Sequence, residues 1–87
     1  MTPSEIAVLR KSLGLTQADF AQLFDAHVMT ISKWERGVAV PSAYQVSLME
    51  HFKQKAEQQA EQAKTEVKNL LIGAGVIAAL VWLLSNR

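Results

Sequence analysis

Three residues whose side chains could form a nucleophilic triad lie close together in the chain: Asp25, His27 and Ser32. A hydrolytic triad needs these groups to converge in a cleft that also binds substrate. Here all three lie in a predicted turn and the helix that follows it, so local backbone geometry fixes their positions. We therefore predict no catalytic site and expect that the chain is not an enzyme.

Metal and cofactor sites are not expected either. The two histidines, His27 and His51, are far apart in the sequence, and there is no cysteine to complete a zinc site or form a disulfide. Gly73 and Gly75 lie inside an apolar helical stretch and do not follow a strand, so they do not form a phosphate-binding loop. The sequence predicts no metal and no cofactor.

The stretch from Thr16 to Gly37 predicts two short helices joined by a tight turn. Thr16 can cap the first helix, and Asp19 stands at its third position, where an acid is favoured. The turn falls at residues 25–27. The second helix runs from Val28 to Trp34, and Gly37 suits a left-handed helix end. This is a helix-turn-helix pattern, whose second helix is offered to the major groove of DNA.

Two further helices complete a four-helix bundle in the prediction. Thr2, Pro3 and Glu5 form a start for the first helix, which Gly14 ends, and Ser42 caps a fourth helix that begins near Ala43. The apolar residues of these helices should close a small core, made of Ile6, Leu9, Phe20, Ile31, Trp34, Tyr44, Val46, Leu48, Met49 and Phe52.

The segments LGLTQADFAQLF and TISKWERG resemble the Xre family of bacterial and phage regulators, whose DNA-binding domains are similar to those of the lambdoid repressors and Cro. The resemblance covers about the first fifty residues and implies binding to double-stranded DNA. It implies that Gln17 contacts a phosphate, that Val28, Met29 and Lys33 lie at base-reading positions, and that Arg10 pairs with Glu35. The predicted DNA-binding residues, including the outward side chains of the second helix and its capping position, are Gln17, His27, Val28, Met29, Thr30, Ser32 and Lys33.

The charge of residues 1–52 is unusual for a DNA-binding domain, because four basic side chains face five acidic ones, a net charge of −1. Such domains gain most of their affinity by neutralising phosphates with lysine and arginine. A single copy should therefore bind DNA weakly, and we expect a homodimer.

Residues 53–69 contain no glycine or proline and consist mostly of good helix formers, so the fourth helix is predicted to run straight on as a polar linker. Its apolar residues recur at steps of four and three, and the rhythm continues into the following segment as a heptad seam. The seam suggests a coiled coil between two copies, although an ordinary solvated helix would also fit. It comprises Ala56, Ala60, Ala63, Val67, Leu70, Ala74, Ile77, Val81 and Leu84.

Residues 70–87 form a hydrophobic C-terminal segment, in which Leu70 to Leu84 carry no charged side chain. As one helix this stretch would span about 22 Å, shorter than a hydrocarbon core of about 30 Å. We predict a single-pass bilayer anchor through residues 70–84, and Lys64 and Lys68 would place the N-terminal domain on the cytoplasmic face of the bacterial inner membrane. The alternative is a cytoplasmic oligomer that buries the segment between copies.

The sequence thus predicts an all-α protein: a helix-turn-helix bundle of four helices, the last extended into a long helix with an apolar C-terminal end. The function expected from it is that of a sequence-specific, DNA-binding transcriptional regulator that acts as a dimer and is tethered to the membrane by its C-terminal helix. A different class of function is a protein-binding scaffold, in which Val28 and Met29 contact a protein instead of bases.

Overall fold

Three of the helices begin at capping boxes, as the sequence predicts. In the computed structural model, which describes residues 1–85, these helices are α1 (Pro3–Ser12), α2 (Gln17–Leu23) and α4 (Ala43–Gln58). In each box the side-chain hydroxyl of the capping residue accepts a hydrogen bond from the backbone N–H of the residue three positions later. The side chain of that later residue accepts a hydrogen bond from the backbone N–H of the capping residue. The paired residues are Thr2 with Glu5, Thr16 with Asp19, and Ser42 with Gln45.

The helix-turn-helix unit consists of α2, a tight turn and α3 (Val28–Glu35). Asp25 adopts a left-handed backbone with φ of +49°, and the backbone N–H of Ala26 donates to the carbonyl of Ala21 at 3.0 Å, which closes the turn. After α3, Gly37 has φ of +75°, the left-handed conformation that favours glycine at a helix end.

An aromatic cluster joins the helix-turn-helix unit to α4. The ring of Phe24 lies 4.9 Å from that of Phe20, 5.6 Å from that of Trp34 and 5.7 Å from that of Phe52, measured between centroids. Most of the predicted core is correct, but Tyr44 was assigned wrongly. Tyr44 lies in the first turn of α4, on the side that faces away from the cluster, and is 72% exposed.

The long straight helix predicted beyond residue 52 is wrong. The chain turns at Gln59, where φ is −135° and ψ is 54°, and again at Gly75, where φ is +102°. Two further helices follow these breaks, α5 (Ala60–Gly73) and α6 (Val76–Leu84). Within residues 1–85 the fold is therefore all-α with six helices.

Helix α5 folds back onto the helix-turn-helix domain. Its inner residues Ala63, Val67 and Leu71 are buried in the same core as α1 and α2. At its flank, Lys68 Nζ lies 3.0 Å from Asp19 Oδ2, which ties α5 to the start of α2. These contacts compensate for the helical hydrogen bonds interrupted near Gln59.

Helix α6 packs against α4, α5 and α2. Ala79 and Leu83 are buried, and the ring of Trp82 covers the buried side chain of Lys55 on α4. The Lys55 Nζ lies 4.7 Å from the ring centroid and has no hydrogen-bond partner within the described residues. A cation over an indole face is attracted by the ring quadrupole, so this contact stabilises the docked α6.

The predicted heptad seam is turned toward the chain's own core in its first half. Ala56, Ala63 and Val67 are buried against neighbouring helices, and Ala60 is exposed beside the break. The seam therefore does not form a continuous coiled-coil surface. None of the helices within residues 1–85 has the length and apolarity needed to cross a membrane. The last two residues of the predicted C-terminal segment, Asn86 and Arg87, lie outside the described residues.

The close approach of α5 to the end of α1 generates a prediction about Gly14. Its φ is +70°, and a Cβ there would lie 2.8 Å from the carbonyl oxygen of Lys64. Replacing Gly14 with alanine should lower the free energy of unfolding by about 1 to 3 kcal/mol, because both the left-handed backbone and the contact oppose a side chain. Thermal denaturation followed by circular dichroism measures the change.

Gly73→Ala is the matched control. Gly73 lies in α5, where an added Cβ meets nothing within 4 Å, so alanine should leave stability unchanged or raise it by up to about 1 kcal/mol. Equal melting temperatures for Gly14→Ala and the parent would contradict the packing of α5 on this turn.

Candidate nucleic-acid interface

Helix α3 has one side in the core and one side open. Ile31 is fully buried and Trp34 is 2% exposed, so these two side chains fix the rotation of the helix about its axis. Met29 is 52% exposed, Val28 is 36% exposed, and Lys33 also faces solvent. The outer face of α3 therefore presents an apolar start followed by a cation one turn later.

Two other predicted residues of α3 lie at the margin of this face. Thr30 and Ser32 are half-buried, and the Oγ of Ser32 accepts a hydrogen bond from Arg36 Nε at 3.2 Å. Arg36 itself is exposed and was not among the predicted site residues. Its position one turn after Ser32 and next to the end of the helix could have identified it, since this register continues the outward face.

His27 caps the N-terminus of α3. Its Nδ1 accepts a hydrogen bond from the backbone N–H of Met29 at 3.1 Å, and its ring is exposed. Because Nδ1 is the acceptor, the proton of the neutral ring is on Nε2, which leaves that N–H as a donor toward solvent. The Nε2–H of His27 thus adds a hydrogen-bond donor at the N-terminus of α3, where the free backbone N–H groups already favour an anion.

A network of hydrogen bonds joins α1, α2 and α3. Arg10 on α1 binds Glu35 through two hydrogen bonds, Nε to Oε2 at 2.7 Å and Nη2 to Oε1 at 3.0 Å. Its Nη1 donates to the carbonyl of Leu15 at 2.9 Å. The side chains of Arg10 and Glu35 are 13% and 9% exposed, so water screens the pair only weakly.

Gln17, the first residue of α2, belongs to the same network. Its Nε2 donates to Glu35 Oε1 at 3.1 Å. An amide nitrogen carries two N–H groups, so this bond leaves a second donor available. The predicted contact of Gln17 with a phosphate is compatible with this geometry, and Glu35 would then hold the amide in place from behind.

The network also sets the ionisation of Glu35. Burial raises the pKa of this carboxyl, but the hydrogen bonds from Arg10 and Gln17 and the charge of Arg10 outweigh it and hold the pKa below its ordinary value. Glu35 is therefore ionised at neutral pH, and its charge is balanced inside the domain by Arg10. Neither residue contributes free charge to the surface.

The residues considered for catalysis are used for other purposes. His27 caps α3 through its Nδ1, Ser32 bonds to Arg36, and Asp25 occupies the left-handed position of the turn. Within residues 1–85, no group of three His, Cys, Asp or Glu side chains is arranged to hold a metal ion. The arrangement fits recognition by a helix face.

Comparison with known proteins identifies a family for the part of the chain that contains this interface. A family model described as helix-turn-helix matches residues 6–52, which is more than half of the sequence. Comparisons with curated proteins and with solved structures gave no match. The matched range runs from α1 into α4 and stops before α5.

The network around Glu35 generates a prediction on stability and its pH dependence. Replacing Glu35 with alanine leaves Arg10 buried without its partner and should lower the free energy of unfolding by about 3 kcal/mol at pH 7. Because the folded-state pKa is lowered, this contribution is complete above the ordinary glutamate value of about 4.3 and is lost as the pH falls below it. The gap between parent and variant should therefore narrow from pH 7 to about pH 3, which urea denaturation at each pH measures.

Glu50→Ala serves as the control, because Glu50 is an exposed carboxylate on α4. Its replacement should change stability by less than about 0.5 kcal/mol at any of these pH values. A Glu35→Ala variant as stable as the parent at pH 7 would show that the pair contributes nothing to the fold.

Proposed function

The chain belongs to the Xre-like helix-turn-helix family of DNA-binding domains, and from this membership we propose that it is a sequence-specific transcriptional regulator that places α3 in the major groove of duplex DNA. The observation that carries the proposal is the division of α3 into two sides. Ile31 and Trp34 anchor the helix in the core, whereas Met29 and Lys33 on the opposite side are exposed.

The chemistry of the open side matches the edges of base pairs. Lys33 can donate to the O6 and N7 acceptors of guanine. Val28 and Met29 are apolar and sit at the N-terminal end of α3, where they can contact thymine methyl groups. Thr30 and Ser32 are the remaining candidates on this helix, and their half-buried hydroxyls give them a smaller role.

Phosphate contacts would come from the residues that surround α3. Gln17 has a free amide N–H at the start of α2, His27 offers Nε2–H at the start of α3, and Arg36 offers its guanidinium at the other end. Contacts of this kind fix the register of the protein on the duplex without reading the sequence.

The small number of surface cations supports action as a dimer. Residues 1–52 carry a net charge of −1, and Arg10 is already paired inside the domain. With so few phosphates neutralised, one copy gains little electrostatic affinity. Two linked copies gain affinity through the high effective concentration of the second domain.

We leave the predicted bilayer anchor out of this proposal. The residues that would have faced lipid are divided between two short helices, and Leu71, Ala79 and Leu83 are buried against the rest of the chain. The apolar composition of the C-terminal segment is thus accounted for in part by its packing on the helix-turn-helix domain.

Lys33→Ala tests the proposal. Loss of one base-reading lysine should weaken binding to the preferred duplex by about 1 to 3 kcal/mol, or roughly 5- to 150-fold in Kd, while the melting temperature stays unchanged because the side chain is exposed. The preferred duplex is first selected from a random pool, and fluorescence anisotropy then gives Kd at two salt concentrations.

Lys64→Ala is the matched control, because it removes the same charge from an exposed position on α5, a helix that does not pack on α3. Its binding should remain close to that of the parent. If Lys33→Ala and Gln17→Ala both bind DNA as the parent does, the proposal that this face reads DNA is wrong. The exposed apolar side chains of Val28 and Met29 would then be explained by the alternative, a scaffold that binds a protein.

A further inference from the structure

The side of α6 that faces away from the core is apolar and uncovered. Ile77 is 78% exposed, Val81 is 66% exposed and Leu84 is 45% exposed. These residues follow one another at steps of four and three, so they form a single stripe along the helix. Ile72, in the last turn of the neighbouring α5, is 72% exposed as well. We call these four residues the outer apolar face.

The four residues lie in a stretch of sequence, Leu70 to Ser85, that contains no charged side chain. Together the four side chains expose roughly 400 to 500 Å² of apolar area, the size of the largest such patch on a typical monomer, which is often functional. Charged side chains do border the end of the stripe, where Leu84 lines one groove with Asp25 and another with Lys55, and they border exposed apolar residues elsewhere. Val8 on α1, for example, borders a groove that also contains Glu5, Lys53 and Glu57.

Three of the four residues of the outer apolar face are the last members of the heptad seam. Ala63 and Val67, in the first half of the seam, are buried within the chain, whereas Ile77, Val81 and Leu84, in the second half, are not. The seam rhythm is the one used for packing helix against helix. The uncovered half therefore has the shape of a helix-packing surface without a helix on it.

We propose that two copies of this chain associate through the outer apolar face, with the two α6 helices packed across a two-fold axis. In an isologous dimer the same stripe meets itself, which an uncharged and self-similar stripe allows. If the helices are antiparallel, Val81 at the centre of the stripe meets Val81 of the second copy, and Ile77 meets Leu84. The inference rests on the proposed function only for the need of two copies on DNA.

The available area predicts a dimer of moderate strength. A standard interface buries about 800 Å² on each partner, and weak, transient interfaces bury less than about 600 Å². The outer apolar face with its margin falls in the second class, so we expect the free protein to dimerise only weakly. Binding to adjacent DNA sites would strengthen the association.

A second copy fits this face better than a lipid surface does. Helices that lie in the membrane interface combine an apolar side with lysine or arginine on the polar side. Helix α6 contains neither lysine nor arginine. The lysine on α5 that precedes the apolar segment, Lys68, is engaged by Asp19 at 3.0 Å. An apolar stripe without charged residues of its own, bordered at one end by Asp25 and Lys55, matches the apolar core and polar rim of a protein interface.

Sedimentation equilibrium of the full chain without DNA tests the inference, over protein concentrations from about 1 to 200 μM, where weak dimers are detected. Val81→Glu should weaken dimerisation at least tenfold, because two carboxylates would meet at the axis in an apolar surrounding. Val8→Glu is the matched control: the residue type and the 66% exposure are the same, but the position lies on α1. It should dimerise as the parent does.

A charge-exchange experiment tests the pairing itself. Val81→Glu and Val81→Lys should each dimerise at least tenfold more weakly than the parent, and an equimolar mixture should dimerise more strongly than either variant alone, because the two opposite charges then meet across the axis. Circular dichroism melts check that all variants are folded. Recovery in the mixture is not expected if Val81 acts only through the stability of the monomer.

Four results would overturn the inference: a parent chain that stays monomeric at the highest concentration, a dimer unaffected by Val81→Glu, a dimer lost in Val8→Glu or in Val40→Glu on the exposed loop after α3, or flotation of the parent with phosphatidylcholine vesicles that Val81→Glu abolishes. The last would assign the face to lipid. Because these measurements contain no DNA, they are independent of the Lys33→Ala result, and either proposal can fail while the other stands.

Discussion

The carboxylate of Glu35 is the group on which the candidate interface depends. Glu35 is the last residue of α3. Its carboxylate accepts two hydrogen bonds from Arg10 on α1 and a third from Gln17 at the start of α2. A bidentate pair between guanidinium and carboxylate constrains direction as well as distance. The angle between α3 and the two helices behind it is thus fixed by polar contacts, and Ile31 and Trp34 fix its rotation by burial. A helix held in this way would need no rearrangement to bind DNA as proposed.

The C-terminal third of the chain completes this small domain. Ala63, Val67, Leu71, Ala79 and Leu83 share a core with the first four helices, which enlarges the apolar area that an otherwise short bundle can bury. Two polar contacts connect the added helices to specific partners, Lys68 to Asp19 and Lys55 to the ring of Trp82. The same helices leave an apolar stripe uncovered on their far side, so stabilisation of the domain and presentation of a helix-packing surface come from one structural addition.

Features set by neighbouring residues could be predicted from the sequence, and features set by distant residues could not. The capping boxes at Thr2, Thr16 and Ser42 involve groups three positions apart, and the two sides of α3 follow from helical periodicity. The break at Gln59 has no local signal, because the surrounding residues all favour helix and the cap uses no side chain. The break allows α5 to fold back and bury Ala63 and Val67, a long-range contact that only the folded chain reveals. The break at Gly75 did have a signal, two glycines in three residues, which the apolar composition outweighed in the prediction. For the site, the resemblance indicated the positions on α3, and the helical register could also have indicated Arg36, but the role of Gln17 as a partner of Glu35 required the structure.

The most direct measurement of the central claim, that the open side of α3 is a DNA-binding face, is a titration of the ¹⁵N-labelled chain with its selected duplex, followed by amide chemical shifts. The account predicts that the largest changes map to residues 27–36 and to the start of α2 around Gln17, while the amides of Ile77 to Leu84 on α6 shift little when the protein is already dimeric. Changes concentrated on α5 and α6, or no changes at any residue of α3 at saturating DNA, would contradict it.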